Sequence, residues 1–104
     1  MGEAAVLLTM VKALVEDINQ IQQRGAGYYR PRDFISKYNS LLATARELYP
    51  DDRLLGSTMS PIEETPSHDP ADKMKDVQKV ILEAGQLIAF LKARMGSEAG
   101  GEKK

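Results

Sequence analysis

The sequence of 104 residues contains no cysteine, no tryptophan and a single histidine. The lack of cysteine excludes a disulfide framework, a thiolate metal site and a cysteine nucleophile. A single histidine also excludes metal sites built from several histidines. The one Ser-His-Asp run, residues 67–69, lies in a loop, where sequence neighbours do not present the geometry of a catalytic triad. We therefore predict that the protein is not an enzyme and that it uses no metal or cofactor.

Positive and negative charges are nearly balanced, since the chain has 14 Lys and Arg residues and 15 Asp and Glu residues. A chain with a net charge of −1 is not expected to bind polyanions in general, so any affinity for nucleic acid requires a local patch. Long apolar runs are also lacking. The longest stretch, residues 4–15, is interrupted by Thr9 and Lys12, and a bilayer span needs about 20 residues. It has no basic leader or cleavage site of a secretory signal, so we predict a soluble, cytoplasmic protein without a membrane partner.

Three segments repeat apolar residues every three or four positions, as amphipathic helices do, and none alternates as a strand would. They are residues 3–24, 31–49 and 70–95. Pro31 and Pro70 suit the first turns of the second and third helices, where a missing N–H is harmless. Gly25 and Gly96 suit the ends of the first and third helices. The pattern predicts an all-α fold.

The matched spacing of the apolar stripes predicts an antiparallel three-helix bundle, up-down-up, with coiled-coil-like packing at shallow angles. Residues 1–96 are expected to form a single helical domain. Residues 97–104, rich in Gly, Glu and Lys, are expected to form a disordered tail.

The connection before the third helix, residues 50–69, is long, because bundle helices are usually joined by about 2–8 residues. The spacing of Ser60 and Glu63 is that of a capping box and predicts a short helical turn beginning at Ser60. Four apolar residues are predicted to anchor the connection to the bundle: Leu54, Leu55, Met59 and Ile62.

The first helix is more apolar than a three-helix bundle requires, because its polar residues form one narrow line and the rest of its circumference is apolar. Such helices are normally buried on several sides. The third helix carries a second line of small residues, which includes Gly85. A glycine inside a helix costs about 1 kcal/mol relative to alanine, so its presence suggests that another helix packs closely there. Phe90, on an otherwise polar line, is a natural interface anchor. The predicted interface residues are Val6, Met10, Ala13, Leu82, Gly85, Ala89 and Phe90.

Two interpretations of the additional apolar residues in the first helix remain open. The first helix is either central, covered by the other helices and the long connection, or it meets another chain together with the third helix. A homodimer is the default in the second case, because two-fold homo-oligomers are the commonest assemblies. We favour the second interpretation. It predicts a small accessory protein, a non-enzymatic interaction or scaffold module that self-associates or docks on a protein partner.

The turn between the first two helices, residues 24–32, suggests an alternative function. Arginines pair with phosphate, tyrosines offer stacking faces, and the start of a helix favours anions. The alternative is a small nucleic-acid or phosphate-ligand binding protein. No P-loop, dinucleotide fingerprint or RNA-binding motif accompanies the turn, so an ordinary inter-helix turn with solvated arginines stays the competing interpretation. The contact residues would be Arg24, Tyr28, Tyr29, Arg30 and Arg32.

Overall fold

The computed structural model describes residues 2–23 and 31–102, with side chains up to residue 96. Within these ranges the chain forms helices and no strands, which confirms the predicted all-α fold. The three long helices pack against one another. The helices are α1 (Glu3–Gln23), α2 (Pro31–Leu48), α3 (Arg53–Thr58) and α4 (Pro70–Glu102).

Helices α2 and α4 run parallel. At the end where both begin, Arg32 of α2 and Lys73 of α4 bind the two oxygens of the same carboxylate, Glu64, at 3.1 and 2.9 Å. At the other end Tyr49, the residue after α2, packs its ring edge-on against Phe90, well along α4, with centroids 5.5 Å apart. The starts and the later parts of the two helices therefore lie side by side.

Helix α1 is antiparallel to both. Near its end the Gln22 amide donates to the Met74 sulfur, close to the start of α4, at 3.8 Å. The predicted up-down-up order is therefore wrong for the last helix. The physical reason is the length of the connection. Residues 59–69 reach about 35 Å when extended, at roughly 3.3 Å per residue. This exceeds the roughly 27 Å of α2, so the chain can return along the whole bundle before α4 begins.

The returning segment lies against α2 and is held there by side chains of that helix. We call residues 59–66 the strap. The Asn39 side chain accepts from the Ile62 N–H at 2.8 Å and donates to the Ile62 carbonyl at 3.0 Å. Arg46 donates to the Met59 carbonyl. Side chains thus take the place of a neighbouring strand in pairing the strap's backbone groups.

On its other side the strap is bound by α4. The Asp76 carboxylate is buried and accepts from both the N–H and the hydroxyl of Thr65, at 2.9 and 2.7 Å. Because α2 and α4 each hold the strap, it lies over the two parallel helices and joins them.

Apolar side chains also fix the connection to the bundle. Leu55, Met59 and Ile62 are buried in the common core, as predicted. The same prediction for Leu54 is wrong, since its side chain is 58% exposed. In the α3 helix Leu54 and Leu55 are neighbours, so they cannot both face the core.

The short helix lies earlier than predicted. It is α3, and the Asp52 carboxylate caps it by accepting from the Leu55 N–H at 3.1 Å. Residue Ser60 follows this helix and begins no helical turn. Asp52 is a preferred N-cap residue, which was the signal for the correct position.

The core stripe of α4 runs through Val80 and Leu87. Both side chains are fully buried, whereas their neighbours Ile81 and Ile88 are only partly buried. The strap and α2 cover α4 on the side that carries Asp76, so the buried centre of the helix turns toward them.

Helix α4 continues through Gly96 to Glu102, so the predicted helix end at Gly96 is wrong. A glycine permits a helix end but does not force one, and the Ser-Glu-Ala sequence that follows is compatible with a helix. The backbone of the predicted disordered tail, residues 97–104, is therefore helical as far as 102. Residues 103–104 lie outside the described ranges.

Candidate functional site

A groove between α1 and α2 is lined by two of the predicted interface residues, Met10 and Ala13. Its volume is about 440 Å³. On the α2 side its wall is Phe34, which is half-buried against the core. Because α1 and α2 are antiparallel, Asp17 near the end of α1 lies opposite Asp33 at the start of α2. The sequence gives no sign of the α2 half of the groove, because Asp33 and Lys37 match the pattern of a solvated helix face. The charged lining residues are Asp17, Asp33 and Lys37.

The surplus apolar surface of α1 is used only in part inside the chain. Leu8 and Val15 pack against the core, on the side of α1 away from the groove. Val6 and Met10 remain 52% and 41% exposed, and Ala13 is exposed as well. The interpretation in which α1 is simply central therefore accounts for one flank of the helix and leaves the other flank unexplained.

The second predicted face lies on α4. Leu82 is 59% exposed, and Gly85 and Ala89 are exposed beside it. A Cβ atom added to Gly85 meets nothing within 4 Å, so no helix in the described part of the chain uses the close approach that a glycine allows. Between residues 74 and 96 every exposed charged residue of α4 is a lysine. These are Lys75, Lys79 and Lys92.

The faces on α1 and α4 are separate surfaces. Successive residues of a helix are rotated by about 100°, which places Leu82 opposite the buried stripe that contains Val77 and Ala84. Leu82 therefore faces away from α1 and α2, whereas the groove opens between those two helices.

Phe90 is not the exposed anchor that its position on a polar line suggested. Its ring is partly buried and meets Tyr49 edge-on. The Arg94 guanidinium lies 5.4 Å from the ring centroid and also binds Asp52 at 2.8 Å. The connection brings Tyr49 and Asp52 to this side of α4, so Phe90 closes one end of the bundle.

Most of the predicted anion-binding turn lies outside the described residues, namely Arg24, Tyr28, Tyr29 and Arg30. Arg32 is described, and its Nε binds Glu64 at 3.1 Å while its side chain is 81% exposed. Binding of nucleic acid or a phosphate ligand by this turn therefore stays a prediction.

Glu64 joins the strap to the starts of two helices. Its carboxylate accepts from Lys73 and from Arg32, and Lys73 also donates to the Thr65 carbonyl at 3.4 Å. The hydrogen bond from Lys73, followed by that from Arg32, holds the pKa of the Glu64 carboxyl below its ordinary value.

Replacing Glu64 should make the stability of the protein less dependent on pH. A carboxyl whose pKa is lowered by folding stabilises the folded state above its unfolded pKa and loses that contribution as the pH falls through the folded pKa. The deficit of Glu64→Gln relative to the wild type should therefore be largest near neutral pH and shrink below about pH 4. Urea unfolding between about pH 3 and pH 7 measures it, with the exposed neighbour Glu63→Gln as the control. A deficit that stays constant with pH contradicts the prediction.

Tyr38 is buried deeper than its sequence position suggests. The residue is fully buried, and its hydroxyl has no hydrogen-bond partner within the described part of the chain. Burial, reinforced by Glu83 and opposed by Arg46, raises the pKa of Tyr38 to about 12. The phenol therefore stays protonated at neutral pH and offers no base.

The Ser-His-Asp run lies directly before α4, and the side chains of Ser67 and Asp69 accept from backbone N–H groups. The Ser67 hydroxyl accepts from the Asp69 N–H at 3.1 Å, and the Asp69 carboxylate accepts from the Ala71 N–H at 2.9 Å. His68 is exposed between them. In the described ranges no three His, Cys, Asp or Glu residues are grouped so that they could hold a metal ion.

Comparison of the chain with known protein families, with curated proteins and with solved structures finds no match. Over residues 2–23 and 31–102, none of the helices combines the length and the apolar character that crossing a membrane requires.

Proposed function

We propose that the protein is a non-enzymatic interaction module that docks on protein partners through the exposed faces of α1 and α4. The observation that carries this proposal is the exposure of Val6, Met10 and Leu82 on two helices that already bury a complete core stripe. Single exposed apolar residues are common on soluble proteins. Here Met10 lines a groove and Leu82 stands beside small residues, which is typical of surfaces that receive a helix.

The chemistry of the α4 face defines its partner. Leu82 and the small residues Gly85 and Ala89 let a helix approach closely, and the exposed charges around them are all lysines. An amphipathic helix whose apolar stripe is flanked by carboxylates fits this face. Complementary charge of this kind accelerates association and selects among partners.

Site-specific photocrosslinking in the cells that make the protein tests the proposal. A photoreactive residue at position 82 should give a discrete adduct, because Leu82 lies at the centre of the α4 face. Charge reversal by Lys79→Glu should reduce that adduct severalfold, since it repels an acidic partner. The same photoreactive residue at Glu47, exposed on α2, is the control and should give no adduct.

The outcome that contradicts the proposed function is the absence of a discrete adduct from both faces, with the photoreactive residue at position 82 or at position 10. An adduct at position 82 that is unaffected by Lys79→Glu contradicts the acidic character of the α4 partner.

We also propose a cytoplasmic location, since a chain without cysteine suits a reducing compartment.

A further inference from the structure

The strap is bound through its backbone, in the way that a receptor binds an extended peptide. The Asn39 amide pairs with both the N–H and the carbonyl of Ile62. Arg46, two turns further along α2, donates to the Met59 carbonyl. Backbone groups of this kind are present in any extended segment, so another protein could offer them to the same side chains. We call the site formed around the strap by Asn39, Arg46 and, on α4, Asp76 the strap cleft.

The side chains of the strap that face the bundle define a pattern. Met59 and Ile62 are buried, and Thr65, three residues further on, donates to the buried Asp76 carboxylate. A spacing of three residues is that of a polyproline II helix, whose backbone has no internal hydrogen bonds and is free to pair with a receptor. Glu64 is bound by one cation from each helix. The pattern is therefore an apolar residue at the first and fourth positions, a carboxylate at the sixth and a hydroxyl at the seventh.

The strap leaves two buried polar atoms of this region without a partner. Neither the Tyr38 hydroxyl nor the Arg46 Nε has a hydrogen-bond partner among the described residues. Besides burial, the charges of Glu83 and Arg46 act on the pKa of Tyr38, so its hydroxyl lies near both. Glu83 lies two turns after Asp76 on the same face of α4, which places the hydroxyl between α2 and α4. Because an unpaired buried donor costs free energy, a segment that brings an acceptor to this point would bind better than the strap does.

We infer that the strap cleft is a peptide-binding site in which the strap is a built-in ligand that a protein partner replaces. The ligand is an extended segment of that partner, with apolar first and fourth residues, an acidic sixth residue and serine or threonine as the seventh. The strap is then an autoinhibitory contact, because it fills the cleft until the partner's segment displaces it. The inference does not depend on the faces of α1 and α4 that carry the proposed function.

Binding of a labelled synthetic peptide of residues 57–67 to the full chain tests the inference by fluorescence anisotropy. The strap competes with the peptide, so Ile62→Ala in the chain should raise the affinity at least about tenfold over the wild type, because it weakens the competitor. Adding Asn39→Ala to that variant should lower the affinity at least about tenfold, since Asn39 then no longer pairs with the backbone of the peptide. Adding Ser40→Ala instead, at the exposed neighbour, is the matched control and should change nothing.

Amide hydrogen exchange shows whether the strap leaves the cleft. In the isotope-labelled wild-type chain, a large excess of unlabelled peptide should speed the exchange of the Ile62 and Thr65 N–H groups. Their acceptors, the side chains of Asn39 and Asp76, would then be bound to the peptide. The N–H of Leu87, in the buried stripe of α4, should keep its exchange rate.

Thr65→Ala loosens the other end of the strap and replaces Ile62→Ala if circular dichroism shows that the latter loses its helices. Four outcomes overturn the inference. They are no gain in affinity from loosening the strap, no loss from Asn39→Ala, equal binding of a peptide that carries Ile62→Asp, and unchanged exchange of the strap amides in the wild type. None of them affects the photocrosslinked adducts from positions 10 and 82, so the proposed function stands or fails separately.

Discussion

Leu87→Ala is expected to lower the free energy of unfolding by about 2–5 kcal/mol. The Leu87 side chain is fully buried in the stripe of α4 that faces the other helices. Its truncation removes buried apolar surface and leaves a cavity that the surrounding helices fill only in part. Urea unfolding followed by circular dichroism measures the change.

The matched control is the truncation of another leucine on the same helix. Leu82 lies five positions before Leu87 and is 59% exposed, so Leu82→Ala should change stability by less than about 0.5 kcal/mol. Both variants are measured at low protein concentration, because association would add a concentration-dependent term to the stability. Equal destabilisation by the two truncations would contradict the burial pattern of α4.

Asp76→Ala is expected to destabilise the protein by about 2–3 kcal/mol and to loosen the strap. The Asp76 carboxylate is buried and accepts both hydrogen bonds from Thr65. Alanine leaves the N–H and the hydroxyl of Thr65 without an acceptor, and an unpaired buried donor costs more than the bond itself contributes. Urea unfolding gives the loss, and faster amide hydrogen exchange at Thr65 locates it.

Asp76→Asn distinguishes the effect of the lost hydrogen bonds from the effect of a smaller side chain, because asparagine has nearly the same size as aspartate. The asparagine oxygen can still accept from the Thr65 N–H, and its amide can donate to the Thr65 hydroxyl. This variant should therefore lose less than half of the stability that Asp76→Ala loses. If the two variants are equally unstable, the strap is not held by these hydrogen bonds.

The sequence allowed the long helices to be located, because their starts carry local signals. Pro31 and Pro70 begin α2 and α4, and Asp69 precedes the second of them, as the rules for helix starts require. The buried residues of α1 also follow the predicted repeat of three or four positions, and they are Leu7, Val11, Leu14 and Ile18.

Helix direction was not predictable from the stripes, because an apolar stripe fits a parallel and an antiparallel neighbour equally well. The parallel order depends on where the strap lies. The strap is held by Asn39 and Asp76, two polar residues that resemble any others on a helix surface until their partners are known. For the same reason the sequence does not show which of Leu87 and Ile88 is buried in the core, because this depends on the side of α4 that the strap covers.

The candidate site was predictable on one side only. Surplus apolar residues in α1 pointed to Val6 and Met10, and both are exposed. The α2 side of the groove was missed, because Asp33 and Lys37 match the pattern of a solvated helix face. Their place in the groove follows only from the antiparallel packing of α1 and α2.

The parallel order of α2 and α4 has an electrostatic consequence at the end where both helices begin. Peptide dipoles give each helix a partial positive charge at its start, and in parallel neighbours these charges add instead of cancelling. Asp33 and Asp72 lie in the first turns of α2 and α4, and Glu64 lies between the two helix starts. These carboxylates therefore offset the combined helix dipoles while Glu64 also holds the strap, and Arg46 in the last turn of α2 offsets the negative end of that helix.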